Sequence, residues 1–178
     1  MAPEPGPLTP HFDSLHFRTA LGRFPTGVTI VTACNPEGLP LGLTVSSFNS
    51  VSLDPPLVLW SLALSSSALS IFRTTSRYAI HVLEAGQAGL ARLFARRDAT
   101  DRFAHVEWHR SSHGVPLLSS GFAARFECFN RSQYEEGDHL ILVGQVERCE
   151  YTQGMPLVFH AGGFDLTPAP RPLDTPFE

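Results

Sequence analysis

The chain has 178 residues, of which 43% are hydrophobic and 17% charged, with a formal net charge of -4. That length supports one domain with a real core, and the acidic balance argues against nucleic acid as a partner, because phosphate neutralisation needs a basic face. No apolar run approaches the roughly 20 residues of a membrane-spanning helix. The N-terminal MAPEPGPLTP also lacks the basic and apolar regions of a secretory signal, so no membrane role and a cytoplasmic location are expected.

In chain order, residues 1–10 carry Pro3, Pro5, Pro7 and Pro10 and read as a Pro-rich tail. The domain is expected over 11–167, with a second tail at 168–178. Asp13 or Ser14 caps a short helix whose Leu15, Phe17, Leu21 and Phe24 are expected to face inward. Val28–Ala33 and Leu39–Ser47 form a β-branched hairpin about the turn Asn35–Gly38. After Pro55-Pro56 come a strand at Leu57–Leu62, a short helix at Ser67–Phe72, a buried strand at Tyr78–Leu83 and a helix over Gln87–Arg96. Two longer strands follow, Phe122–Asn130 and His139–Glu150, joined by an acidic turn. The nearly continuous apolar run Leu140–Val146 reads as covered on both sides. A last strand, Leu157–Leu166, is interrupted by Gly162-Gly163. Six or seven strands with two or three short helices predict a mainly β fold, a barrel with accessory helices. Few strand–helix–strand units and no GxGxxG after a strand speak against a doubly wound sheet.

The chain contains no lysine, so its thirteen basic residues are all arginines. Schiff-base and P-loop lysine chemistry are thereby excluded, and an anion must be held by Arg, backbone N–H groups or hydroxyls. The segment Gly42–Ser50 alternates hydroxyl and apolar side chains, which suits a flat, polar-edged ring lying on a strand, or simply a solvent face. Ser61 with Ser65, Ser66 and Ser67, at a strand end and a helix start, reads as a phosphate seat or an ordinary helix cap. Arg92, Arg96, Arg97 and Arg102 are the candidate phosphate partners, with a solvated arginine face as the alternative. His139 leaves the turn Glu135–Asp138 where its ring is able to point at a ligand. His105, His109 and His113 recur at spacing four, but the intervening Trp108, Ser111 and Ser112 disfavour the helix that metal binding would need, and no metal is expected. Cys34, Cys128 and Cys149 form neither a disulfide framework nor a zinc site.

Taken in order, several stretches resemble the flavin reductase-like family of FMN-binding split barrels. They are Phe24-Pro-Thr-Gly-Val-Thr29, Gly42 to Pro56, Leu93-Phe-Ala95, Asp101-Arg-Phe103, Phe126-Glu-Cys128, Gly137-Asp-His139 and His160-Ala-Gly-Gly163. The chain is most similar to the short reductase partners of two-component flavin monooxygenases. The resemblance implies an antiparallel split barrel, a homodimer, NADH or NADPH as reductant and FMN or FAD as acceptor. It implies that Thr44, Ser46 and Ser47 edge the isoalloxazine, that Ser61, Leu62 and Ala63 run beside the ribityl chain, and that Ser67, Ala68, Phe94 and Arg102 surround the phosphate. His139 is implied to contact and orient the nicotinamide nucleotide as the candidate catalytic group, with His160 and Gly163 shaping the same cleft. Where the family often has His-Arg-Gly-aromatic, this chain has Ala161 in place of the arginine. Hydride transfer between stacked rings would need no protein nucleophile. The alternatives are a non-catalytic flavin-binding electron carrier, a pyridoxamine-phosphate-oxidase-like enzyme and a sugar- or lipid-binding barrel.

Overall fold

The computed structural model describes residues 9–96 and 102–165. Most of both expected tails, Arg97 and the end of the last expected strand at Leu166 lie outside the described residues. Helix α1 (Ser14–Leu21) starts where Asp13 accepts the His16 N–H at 2.7 Å. It precedes β1 (Thr26–Gly27), β2 (Thr29–Cys34), β3 (Pro40–Val45), β4 (Asn49–Leu53) and β5 (Pro56–Ala63). Then come α2 (Leu69–Thr74), β6 (Arg77–Leu83), α3 (Ala88–Ala95), β7 (Trp108–Arg110) and β8 (Pro116–Leu118). The chain closes with β9 (Phe122–Glu136), β10 (His139–Tyr151), β11 (Val158–His160) and β12 (Gly163–Asp165).

Seven strands form one antiparallel sheet in the order β3-β2-β6-β9-β10-β5-β4. Its edge strands β3 and β4 are consecutive in the chain, separated only by residues 46–48. Three residues span about 10 Å, so the sheet must curl until its two edges meet. The result is a barrel split between β3 and β5, the expected fold class. Two small sheets, β1-β11-β12 and β7-β8, flank it.

The core has two main clusters. Trp60, Phe72 and Tyr78 pack edge to face, with Trp60 and Phe72 centroids 4.9 Å apart. Gly144 on β10 makes room for them, since a Cβ there would lie 2.4 Å from the Tyr78 hydroxyl oxygen. The second cluster joins Ile30, Leu83, Phe94, Phe103, Leu118 and Leu157 beneath α3. Asn130 on β9 donates to the Phe72 and Thr75 carbonyls at 2.9 Å each, tying the end of α2 to the sheet.

Four expectations need correction. Helix α1 forms, but none of its residues is buried: Leu15 is 70% and Phe24, just beyond it, 74% exposed. Its apolar side chains face outward because the helix lies outside the barrel. Helix α2 begins two residues later than expected, at Leu69, leaving Ser67 in the turn before it. Strand β9 continues to Glu136, because cross-strand pairing with β10 holds its polar half and only Gly137-Asp138 turns. In β10, Leu140, Leu142 and Gly144 are buried while Ile141, Val143 and Gln145 are half-buried, so the strand is fully covered on one face only.

His81 is fully buried between β2 and β8. Its Nε2 accepts the Leu118 N–H at 3.1 Å, so the proton sits on Nδ1, which donates to the Ile30 carbonyl at 3.2 Å. Burial pushes its pKa down to about 3. The folded value lies below the unfolded value of ~6.5, so the stabilisation is fully present above ~6.5 and is lost as pH falls toward 3. Urea unfolding should show a loss of about 2 kcal/mol from pH 7 to pH 5 on account of this side chain. A His81→Gln variant should show a correspondingly shallower dependence.

Candidate functional site

The split between β3 and β5 is a cleft of about 500 Å³. Thr44 and Val45 form one wall, and Ser61, Leu62 and Ala63 the other. Ser65, Ser66, Ser67 and Ala68 close one end, and Phe94, Arg96 and Arg102 cover it from α3 and the segment beyond. Eight of the residues expected at the site are therefore brought together: Thr44, Ser61, Leu62, Ala63, Ser67, Ala68, Phe94 and Arg102.

Each is placed by a specific contact. A Cβ on Gly42 would lie 2.7 Å from Phe94 Cε1, so glycine lets the ring lie against β3. The Thr44 hydroxyl donates to the Ala91 carbonyl at 2.8 Å, fastening α3 to the same strand. Arg102 donates through Nη1 to the Gly42 carbonyl at 3.0 Å and through Nη2 to the Arg96 carbonyl, bonds that tie its side chain to β3 and to the end of α3. The serine end was expected to draw on a helix start, but α2 has only six residues and begins at Leu69. The anion-binding groups are instead side chains. Ser65 and Ser67 are exposed, Arg96 and Arg102 stand nearby, and among the described residues the lining holds no carboxylate. Two cations, two exposed hydroxyls and a flat small-residue wall fit a planar ring carrying a phosphate.

The cleft continues past Thr44 and Val45 into an apolar hollow of about 200 Å³ walled by Ala91, Arg92, Phe159 and Phe164. Ser46 and Phe159 lead on to a third hollow of about 300 Å³, lined by Arg18, Phe24 and His160 among others. Ser46 and His160 thus sit at the far end of one groove. Gly163 pairs with His160 across β11 and β12 but does not line it. Arg92 lies over the Phe164 ring, 5.0 Å from its centroid. Arg18, Phe159 and Phe164 did not emerge as groove residues from the sequence, whereas Arg92 was among the candidate phosphate partners. The four come from four separate elements, and only the fold gathers them.

Besides Gly163, two expected residues lie off the groove lining. The Ser47 hydroxyl faces the Ser61 backbone, donating to its carbonyl at 3.1 Å and accepting its N–H at 2.9 Å. His139 pairs across strands with Ala63 but does not line the groove. Its side chain is 45% exposed, and Asp138 Oδ1 accepts from its Nδ1 at 2.7 Å. That bond holds the Asp138 carboxyl below its ordinary pKa. Among the described residues no cluster could hold a metal ion, and no helix is long and apolar enough to cross a membrane.

A family model described as flavin reductase like domain matches residues 21–167. The chain belongs to that family. It is 49% identical over 152 residues to FMN reductase (NADH) SmoA of Agrobacterium fabrum, covering 85% of each chain. It is 41% identical over 157 residues to the reductase component of the flavin-dependent trigonelline monooxygenase of Acinetobacter baylyi. That match covers 88% of this chain but spans only 50% of the relative. The solved NADH:FAD oxidoreductase SgcE6 of Streptomyces globisporus, in complex with NAD and FAD fragments, superposes with a TM-score of 0.83 at 35% identity. That superposition covers 92% of this chain and 98% of the other.

The close fit of Phe94 on Gly42 is testable. Gly42→Ala should lower stability by about 1–3 kcal/mol through overpacking, read as a lower urea midpoint at unchanged m-value.

Proposed function

We propose that the protein is an NADH-dependent flavin reductase that passes a hydride from the nicotinamide to FMN or FAD and supplies reduced flavin to a partner oxygenase. The observation that carries this reading is the barrel split itself, a flat cleft with cations and exposed hydroxyls at one end, continuous with a second hollow of its own cationic lining. A non-catalytic flavin carrier would need only the first of these.

When bound, the flavin ring accepts the hydride and reduced nicotinamide supplies it, so the chain needs no nucleophile. Its residues bind and orient. Ser65, Ser67, Arg96 and Arg102 hold the flavin phosphate. Thr44 and Val45 carry the ring face, and Ser61, Leu62 and Ala63 flank the ribityl chain. Phe159, Phe164 and the α3 face would exclude water from the middle of the groove during hydride transfer. Arg18 and His160 meet the anionic half of the nicotinamide nucleotide, the charge that Ala161 does not supply. His139, held by Asp138 and open to solvent, would contact and orient the nicotinamide nucleotide.

The test is NADH oxidation with and without added flavin, followed by bleaching of the visible flavin band. Turnover that depends on added FMN or FAD is expected, and flavin binding without bleaching would favour the carrier. Arg102→Ala removes a charge-assisted contact worth about 1.5–3 kcal/mol. Flavin KM should rise about tenfold or more at unchanged NADH KM. His139→Ala should do the reverse, raising NADH KM and sparing flavin.

The assembly we propose is a homodimer, working in the cytoplasm, a setting in keeping with three free thiols. Phe12, Leu15, Phe17 and Leu21 on one side, and Val51 and Leu53 on edge strand β4, leave more apolar surface exposed than a monomer usually carries. Light scattering should give roughly twice the 19.5 kDa of one chain.

A further inference from the structure

Strand β4 pairs with β5 through Asn49↔Leu59 and Ser50↔Val58. Continued two residues further, that antiparallel register sets Ser47 opposite Ser61. The ladder does not continue there, because the backbone at 46–48 swings away to join β3. The Ser61 N–H and C=O are nonetheless both occupied on that side. The N–H donates to Ser47 Oγ at 2.9 Å, and Ser47 Oγ donates to the carbonyl at 3.1 Å. One hydroxyl thus acts as donor and acceptor at once, as a cross-strand residue's backbone would. The substitution of side chain for backbone holds the two segments apart by about the length of a serine side chain.

We propose that Ser47 is a positioning residue: a hydroxyl latch that keeps the barrel split open at a fixed width and sets the β5 backbone for the flavin. This rests on the flavin-reductase reading above and alters the part assigned to Ser47 within it, from touching the ring to spacing the cleft. Two features support it. Ser61, Leu62 and Ala63, which follow directly from the latched peptide, are the whole β5 wall of the cleft. The latch also stands just past the point where the β4–β5 ladder ends, at the Asn49–Leu59 pair. Without it, β5 at Ser61 would be held only by its pairing with β10 on the far side, and the segment 46–48, which follows directly on Thr44 and Val45, would lose its fixed spacing from the wall.

The experiment compares Ser47→Ala and Ser47→Thr with the unsubstituted protein in two readouts. The first is amide hydrogen exchange at Ser61 in the flavin-free protein, by NMR. The second is steady-state kinetics with FMN and NADH varied in turn. Ser47→Ala should expose the Ser61 amide to faster exchange and raise flavin KM about three- to tenfold. NADH KM and kcat at saturating flavin should hold, and Ser47→Thr, which keeps the hydroxyl, should restore both readings. If Ser47→Ala does not fold, Ser47→Cys weakens both bonds at similar size and replaces it, with the same readings expected at smaller amplitude. A raised flavin KM with the Ser61 amide still protected would mean that the hydroxyl acts on the flavin directly, and would overturn the latch. Faster exchange with unchanged flavin KM would overturn it as well, leaving a purely structural bond. Failure of the unsubstituted protein to oxidise NADH with any flavin would overturn the flavin reading itself, and is seen before any variant is made.

Discussion

Two edges of a single sheet must meet because only residues 46–48 separate β3 from β4. A flat seven-stranded sheet would place those strands at opposite ends, far beyond the reach of three residues. Closure is therefore imposed by connectivity, and it is incomplete, since β3 and β5 diverge after the short linker. Everything that gives the molecule a site follows from that incompleteness. The divergence leaves a cleft of about 500 Å³, and α3 is placed across it by the Gly42–Phe94 contact and the Thr44–Ala91 hydrogen bond.

Charge is distributed to match. The chain as a whole is acidic, yet among the described residues the linings of the three connected hollows contain arginines and no carboxylates. Arg102 donates to two backbone carbonyls, those of Gly42 and Arg96, where it covers the cleft. Arg73, Arg77 and Arg125, by contrast, are paired with Glu135, Glu147 and Glu150 on the sheet's outer surface. A protein without lysine has only one cationic side chain to place, and here it is used both for surface pairing and for the groove.

Local patterns in the sequence account for much of this. The β-branched hairpin, the strands at Leu57 and Tyr78, helix α3 and the two long strands all carry their own periodicity or turn residues, and they stand within a few residues of where they were expected. The hydroxyl strand and the serine cluster stood out for the same reason, and the fold brings Thr44, Ser65, Ser66 and Ser67 to one cleft. Strand β4 was not, because Asn49–Leu53 is almost wholly exposed and shows no buried face. The outward turn of α1 was hidden too, since an apolar stripe reads alike whether it meets its own core or another surface. Ser47 and Ser46 are adjacent hydroxyls that the sequence treats as equals, yet one bonds to Ser61 and the other lines the groove. That difference depends on a cross-strand register with a segment fourteen residues away, which no local pattern encodes.

A crystal structure of the protein with FMN bound tests the central claim most directly. The expected density places the phosphate against Ser65, Ser67 and Arg102, with the ring lying in the split beside Thr44 and Val45. Density for flavin elsewhere, for example in the hollow between α3 and β8 lined by His105, Glu107 and Leu118, with the split empty, would contradict it.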